Sequence, residues 1–350
     1  MSVPSSDDDS TDEETRLRTD VHAALETALD RKIDDRDREP SELESEKLAF
    51  LALDHLDLDL TYSWYIAGAN TEVGYDPQPT DSDFDVEPLG PTGPTVSEGF
   101  SGQRTEFGGL TAQTGEDGPP EDYVEFFQSA TFFGEYDLQT VWFTDRFEFL
   151  EDFYEEFAPD EYRELYLTSA KIRSHLYDLT DALDNREENA TLGDFGGGGS
   201  DALLDPSTER EIRYLVSDLH VELAATDELA QTQSTVTNGT DLIERVLSRL
   251  TQMDSVSTEQ RRLVRQLSDF FFYCVWKYPA LAISVETATG PNALELKTRH
   301  LQEFQDFDQI VDRRREQFAD ACRDADLLPS MNDVRRSNID DEDGIIFRDE

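Results

Sequence analysis

Sixteen of the chain's 36 aromatic residues fall between Glu121 and Asp184. Each ring buries a large area, so a stretch this dense marks the centre of a packed core. The apolar residues within it recur at the helical period. Leu138, Trp142, Phe149, Leu150, Phe153 and Phe157 share one broad face. Tyr162, Leu165, Tyr166, Ile172, Leu176 and Leu183 share another. The spacing predicts helices over about 120–133, 136–157 and 160–184, with Pro159 between the last two. Short connections favour antiparallel neighbours, as in a bundle.

The same period continues on both sides. Before the block, Leu17, Val21, Ala24, Leu25, Ala28 and Leu29 predict a helix from Arg16 to Ile33. Ser41 and Glu44 have capping-box spacing ahead of a second. After it, Pro206 opens a helix, Thr240 reads as the cap of a shorter one, and Ser257 with Gln260 again has capping-box spacing. Pro279 is expected to kink or stop that helix, and a long helix then runs to about Ala325. No strand-type alternation persists over a useful length. The fold class expected is all-α: a multi-helix, bundle-like domain with a small N-terminal helical region.

Other stretches lack any period. Residues 1–15 carry six acids and no base, so a disordered tail is expected there. The helical region is placed at 16–70 and the main domain at 119–328. Between them, 71–118 holds clustered Gly and Pro with Arg104 as its one base, which reads as an acidic linker. The Gly-rich run within 185–205 reads as a flexible loop, and 329–350 as a polar tail.

The formal charge is −49, from 79 acids and 30 bases, and only 5 of the bases are Lys. Such a surface repels itself in dilute salt, and at 1 M salt the screening length falls to about 3 Å. The composition therefore points to a protein of concentrated salt. In this texture the chain resembles uncharacterised protein families of haloarchaea. Residues 1–15 show no signal peptide, and the apolar run Phe270–Val285 is broken by Lys277 and Pro279. A cytoplasmic protein that does not span a membrane is expected.

Chemistry-bearing signals are sparse. None of the five histidines has metalloprotease or di-iron spacing. His300 and Glu303 are three apart and can share a helix face, but a metal site needs further ligands. Cys274 and Cys322 read as buried small hydrophobes. No catalytic residue, cofactor site or metal site is assigned. Against the acidic background, two Arg clusters are the candidate nucleic-acid or partner surface: Arg261, Arg262 and Arg265, then Arg313, Arg314 and Arg315. Internal ion pairing is the competing account of them. Tyr62, Trp64 and Tyr65, just before Gly68, read as core packing at a helix end or as partner-binding aromatics. A helix followed by such aromatics and a Gly resembles the opening of some antitoxin-type winged-helix proteins, over about 25 residues. The expected function is interaction or regulation through a protein partner or self-association. Nucleic-acid association and a non-obvious active site are the alternatives.

Overall fold

The computed structural model describes residues 6–33, 42–71, 118–192 and 204–329. The linker over 72–117, the loop over 193–203, the Ser41 cap and the tail beyond 329 lie outside the described residues. Within them the fold is all-α apart from one small hairpin. The order is α1 Ser6–Lys32, α2 Glu42–Leu56, β1 Ser63–Tyr65, β2 Gly68–Asn70, α3 Glu121–Ser129, α4 Leu138–Phe143, α5 Arg146–Phe157 and α6 Arg163–Leu192. Then follow α7 Pro206–Ala225, a 3-10 turn Asp227–Thr232, α8 Gln233–Leu250, α9 Thr258–Phe270, a π segment Phe271–Trp276, α10 Lys277–Thr287 and α11 Ala293–Asp324.

One continuous apolar cluster runs from Val21 in α1 to Leu328 after α11. The aromatic block lies inside it. Phe50 of α2 meets Tyr62, Trp64, Phe153 and Phe157 edge-on, with centroids 5.3–6.0 Å apart, a favoured ring geometry. The first two helices and the hairpin thus share the core of the helices after residue 120. α5, α6, α7 and α8 pack in chain order, each against the next.

The second long feature is an antiparallel helical pair. α9, the π segment and α10, of 13, 6 and 11 residues, follow without a break and span about 45 Å. They lie along α11, of 32 residues. Tyr278 stacks on Phe304 at 4.7 Å, Phe270 stacks on Phe318 at 4.8 Å, and Gln260 Nε2 donates to Ala325 O at 2.7 Å. Leu263, Val264 and Leu267 are fully buried, and the Ser257–Gln260 capping box is formed in both directions.

Several boundaries differ from the sequence expectation. α1 begins at Ser6, not Arg16, so residues 6–15 are helical; Glu14 is buried there in a polar network described below. The helix expected over 136–157 is two helices. Asp137 and Asp145 each cap a new start by accepting backbone N–H groups of the first turn, an alternative to helical continuation. α6 continues through 185–192, which were expected to be loop. Thr240 is not a cap: it is buried inside α8 and its hydroxyl donates to Val236 O.

Pro279 does not stop its helix. One turn earlier the backbone widens, and the Lys277 N–H donates to Phe272 O, five residues back. A π turn relaxes the helix near the carbonyl that a proline ring would otherwise strike. The aromatic string before Gly68 is a hairpin rather than a helix end. Ser63 pairs with Asn70, Trp64 with Ala69 and Tyr65 with Gly68. Gly68 has φ +93°, and a Cβ there would lie 2.6 Å from a ring carbon of Tyr154, so only glycine fits.

Candidate functional site

Several of the buried polar groups gather about the hairpin. Two seams of charged and hydroxyl side chains enclose it, one toward α10 and α11, the other toward α1 and α2.

In the first seam, Ser284 of α10 hydrogen-bonds Ser63 Oγ of β1 at 2.7 Å and also His300 Nδ1 of α11. The two hydroxyls and His300 Nδ1 form one hydrogen-bonded chain, whose direction follows the histidine tautomer. His300 stacks on Tyr65 at 4.8 Å. One turn along, Lys277 Nζ meets Glu303 Oε1 at 2.6 Å, with the lysine side chain fully buried. The rings of Tyr65 and Phe307 flank the ammonium. The spacing of His300 and Glu303 does put them on one face, but each reaches a separate partner on α10. Ser63, Ser284 and His300 are all buried.

In the second seam, Glu14 of α1 accepts from the backbone N–H and hydroxyl of Thr61 and from the Asn292 side chain. The Asn292 N–H donates to Thr61 Oγ1 at 2.8 Å. One residue of α1 thereby ties the approach to the hairpin to the start of α11. Arg18 donates to Thr71 O, and Glu46 accepts from Thr71 N–H at 2.8 Å and from its hydroxyl at 3.0 Å. Lys47 is buried and donates to Ala69 O at 2.6 Å, with the Phe153 ring nearby. Burial pulls its ammonium down to about 7, against the pull of Glu46. Burial likewise lowers His22, while Glu46 raises it and Arg18 lowers it.

Two further buried groups secure the π segment. The Arg173 guanidinium of α6 lies 3.5 Å over the Phe272 ring, a cation–π contact in a desolvated setting. Burial lowers it to about 10. Burial also pushes the Cys274 thiol up to about 12, although Arg314 hydrogen-bonds it. Cys322 is raised to about 12 by the same cause. Both thiols are protonated and inert at neutral pH.

Trp64 and Tyr65 are buried in the hairpin, and Tyr62 is half-buried against Phe50. Arg261, Arg262 and Arg265 are half-buried on α9, and Arg262 pairs with Glu259 at 2.6 Å. On α11 the three consecutive arginines diverge. Arg313 is exposed, Arg314 is buried beside Cys274, and Arg315 pairs with Asp312 at 3.0 Å. Consecutive positions on a helix point about 100° apart, so three in a row cannot form one patch. Lys47, Lys277, Glu14 and Glu46 were not selected from the sequence. In a chain with 79 acids a buried carboxylate looks like any other, and a lysine inside an apolar run looks like an interruption.

Outside the core, large apolar side chains are exposed at Phe143 of α4, at Tyr214 and Val221 of α7, and at Leu294 and Leu301 of α11. Among the described residues no helix is long and apolar enough to cross a membrane. No His, Cys, Asp and Glu side chains among them gather in a set that could hold a metal ion.

The family model for a domain of unknown function (DUF8098) matches residues 6–346. No curated protein and no solved structure matches the chain.

Proposed function

The chain belongs to the DUF8098 family, and from that premise we propose that it is a non-enzymatic binding protein that works through its helical surfaces. Its setting in this reading is the salt-rich cytoplasm of a halophilic archaeon. The observation that carries the proposal is a division of labour between inside and outside. Four groups suited to acid–base or nucleophilic chemistry, Ser284, His300, Lys277 and Lys47, are buried against the hairpin. A catalytic group must reach its substrate. Meanwhile Phe143 is 71% exposed and Leu294 is 79% exposed. Exposed apolar side chains are ordinary singly; spaced seven residues apart on one helix, as Leu294 and Leu301 are, they suit a partner's apolar surface.

The salt-rich setting rests on composition: 25 of the 30 bases are Arg and the net charge is −49. Nucleic-acid binding through the Arg clusters has less support, because Arg262 and Arg315 already hold carboxylates and Arg314 is turned into the core. Affinity purification from native lysate in molar KCl tests the binding reading. The expected result is a protein recovered with the wild type and lost with Phe143→Asp, Val221→Asp or Leu294→Asp. Recovery of the chain without any such protein, and without self-association, overturns it.

A further inference from the structure

α7 carries an exposed stripe with the geometry of a coiled-coil seam. Arg210, Tyr214, Ser217, Val221 and Ala224 are all exposed, at alternating intervals of four and three residues. Ile212, Val216, Leu219 and Leu223 form the opposite, buried face. In the outer stripe Tyr214 is 68% exposed and Val221 is 60% exposed. Between them lies Ser217, and beyond them Ala224, side chains small enough to let a second helix approach closely. Alternation of three and four is the period at which two helices keep one seam in contact.

The shoulders of the stripe select the occupant. Arg213 borders it on one side, Glu211 and Asp218 on the other. In a parallel pair in register, a residue on the first shoulder meets the partner residue five positions later on the second. Arg213 and Asp218 are five apart, so two such contacts form, one on each side of the seam. An antiparallel pair would set the acidic shoulder against itself. Arg213 engages Glu209 at 3.0 Å and Ser248 through Nη2 alone, and the other nitrogens of its guanidinium are further donors.

We infer that this face of α7 is the contact between two copies of the chain, paired parallel about a two-fold axis. The assignment rests on the binding reading above and names its partner. Each contact then occurs twice, as two-fold symmetry requires. A second copy brings the same charge of −49, so it can be accepted only where charge is locally matched and salt screens the remainder.

Sedimentation equilibrium in 3 M KCl is the test. The wild type is expected to be a dimer. Val221→Asp and Asp218→Arg should each weaken it at least tenfold with unchanged circular dichroism, since both positions lie off the core. Under mild oxidation Arg210→Cys and Ala224→Cys should each cross-link to themselves, while the natural thiols are buried. A monomeric wild type overturns the assignment, as does cross-linking only between Arg210→Cys and Ala224→Cys chains, which would mean antiparallel pairing. If the wild type is monomeric but still captures another protein through this or another face, the second copy falls and the binding reading stands.

Discussion

Lys47 shows how much one buried charge can matter here. Its ammonium has a carbonyl acceptor and one aromatic ring nearby, and burial lowers it to about 7. In the unfolded chain a lysine titrates near 10.4. Between about pH 7 and pH 10 the unfolded state therefore holds a proton that the folded state has released. Stability rises with pH across that window, by at most about 1.4 kcal/mol per unit, and below it the contribution is flat. The buried thiols act in the opposite sense. Cys274 and Cys322 stay protonated to about 12 when folded, so above roughly pH 8.5, where free thiols ionise, they favour unfolding. The clean interval is pH 7 to 8.5. There the wild type should gain roughly 1.5–2 kcal/mol relative to Lys47→Met, read as urea midpoints at fixed KCl. At pH 6.5 the Met variant should be the more stable of the two, because an apolar side chain replaces a desolvated charge. Equal pH slopes for the two proteins would mean that Lys47 stays charged when folded.

Among the elements, the legible ones are those whose signal is local. The helical stripes of α5, α6 and α9 and the capping box at Ser257 depend on residues within a turn or two, and all are formed. What escaped depends on contacts distant in sequence. Strands of three residues are too short to show alternation, and both faces of β1 are buried, so Ser63-Trp64-Tyr65 looks no different from a helix end. Lys277 finds Glu303 only once α10 and α11 are paired. Gly239 precedes the expected Thr240 cap, yet lies inside α8. The reason is the neighbouring π segment: a Cβ on Gly239 would sit 2.5 Å from Val275 Cγ2. Tertiary packing thus overrides a residue's weak helical preference. On an exposed helix Gly→Ala stabilises, but Gly239→Ala should destabilise by about 1–3 kcal/mol, the usual cost of overpacking. Pairing it with Val275→Ala should recover part of the loss. Thermal melts of the two single variants and the double variant measure that coupling, and simple additivity would place the clash elsewhere.

At the scale of the whole molecule the question is what lets a chain with 79 acids and 30 bases stay folded. The apolar cluster is continuous through the described helices, so cohesion is ordinary and the opposing term is repulsion among surface carboxylates. Two mechanisms of salt stabilisation then make different forecasts. Screening acts through the Debye length, about 10 Å at 0.1 M and 3 Å at 1 M. Most of its benefit arrives below 1 M and then levels off. Exclusion of solute from the protein surface strengthens apolar burial; it keeps growing with concentration and does not require an ionic solute. Because the net charge is −49, screening should dominate. The melting midpoint followed by far-UV circular dichroism should climb steeply from 0.1 to 1 M KCl and flatten by 3 M, and sucrose should not substitute for the first steep part. A midpoint already at its plateau in 0.1 M KCl would remove the case for a salt-adapted surface. A steady rise matched by sucrose would instead assign the stabilisation to the core, and the acids would then need a role other than solvation in brine.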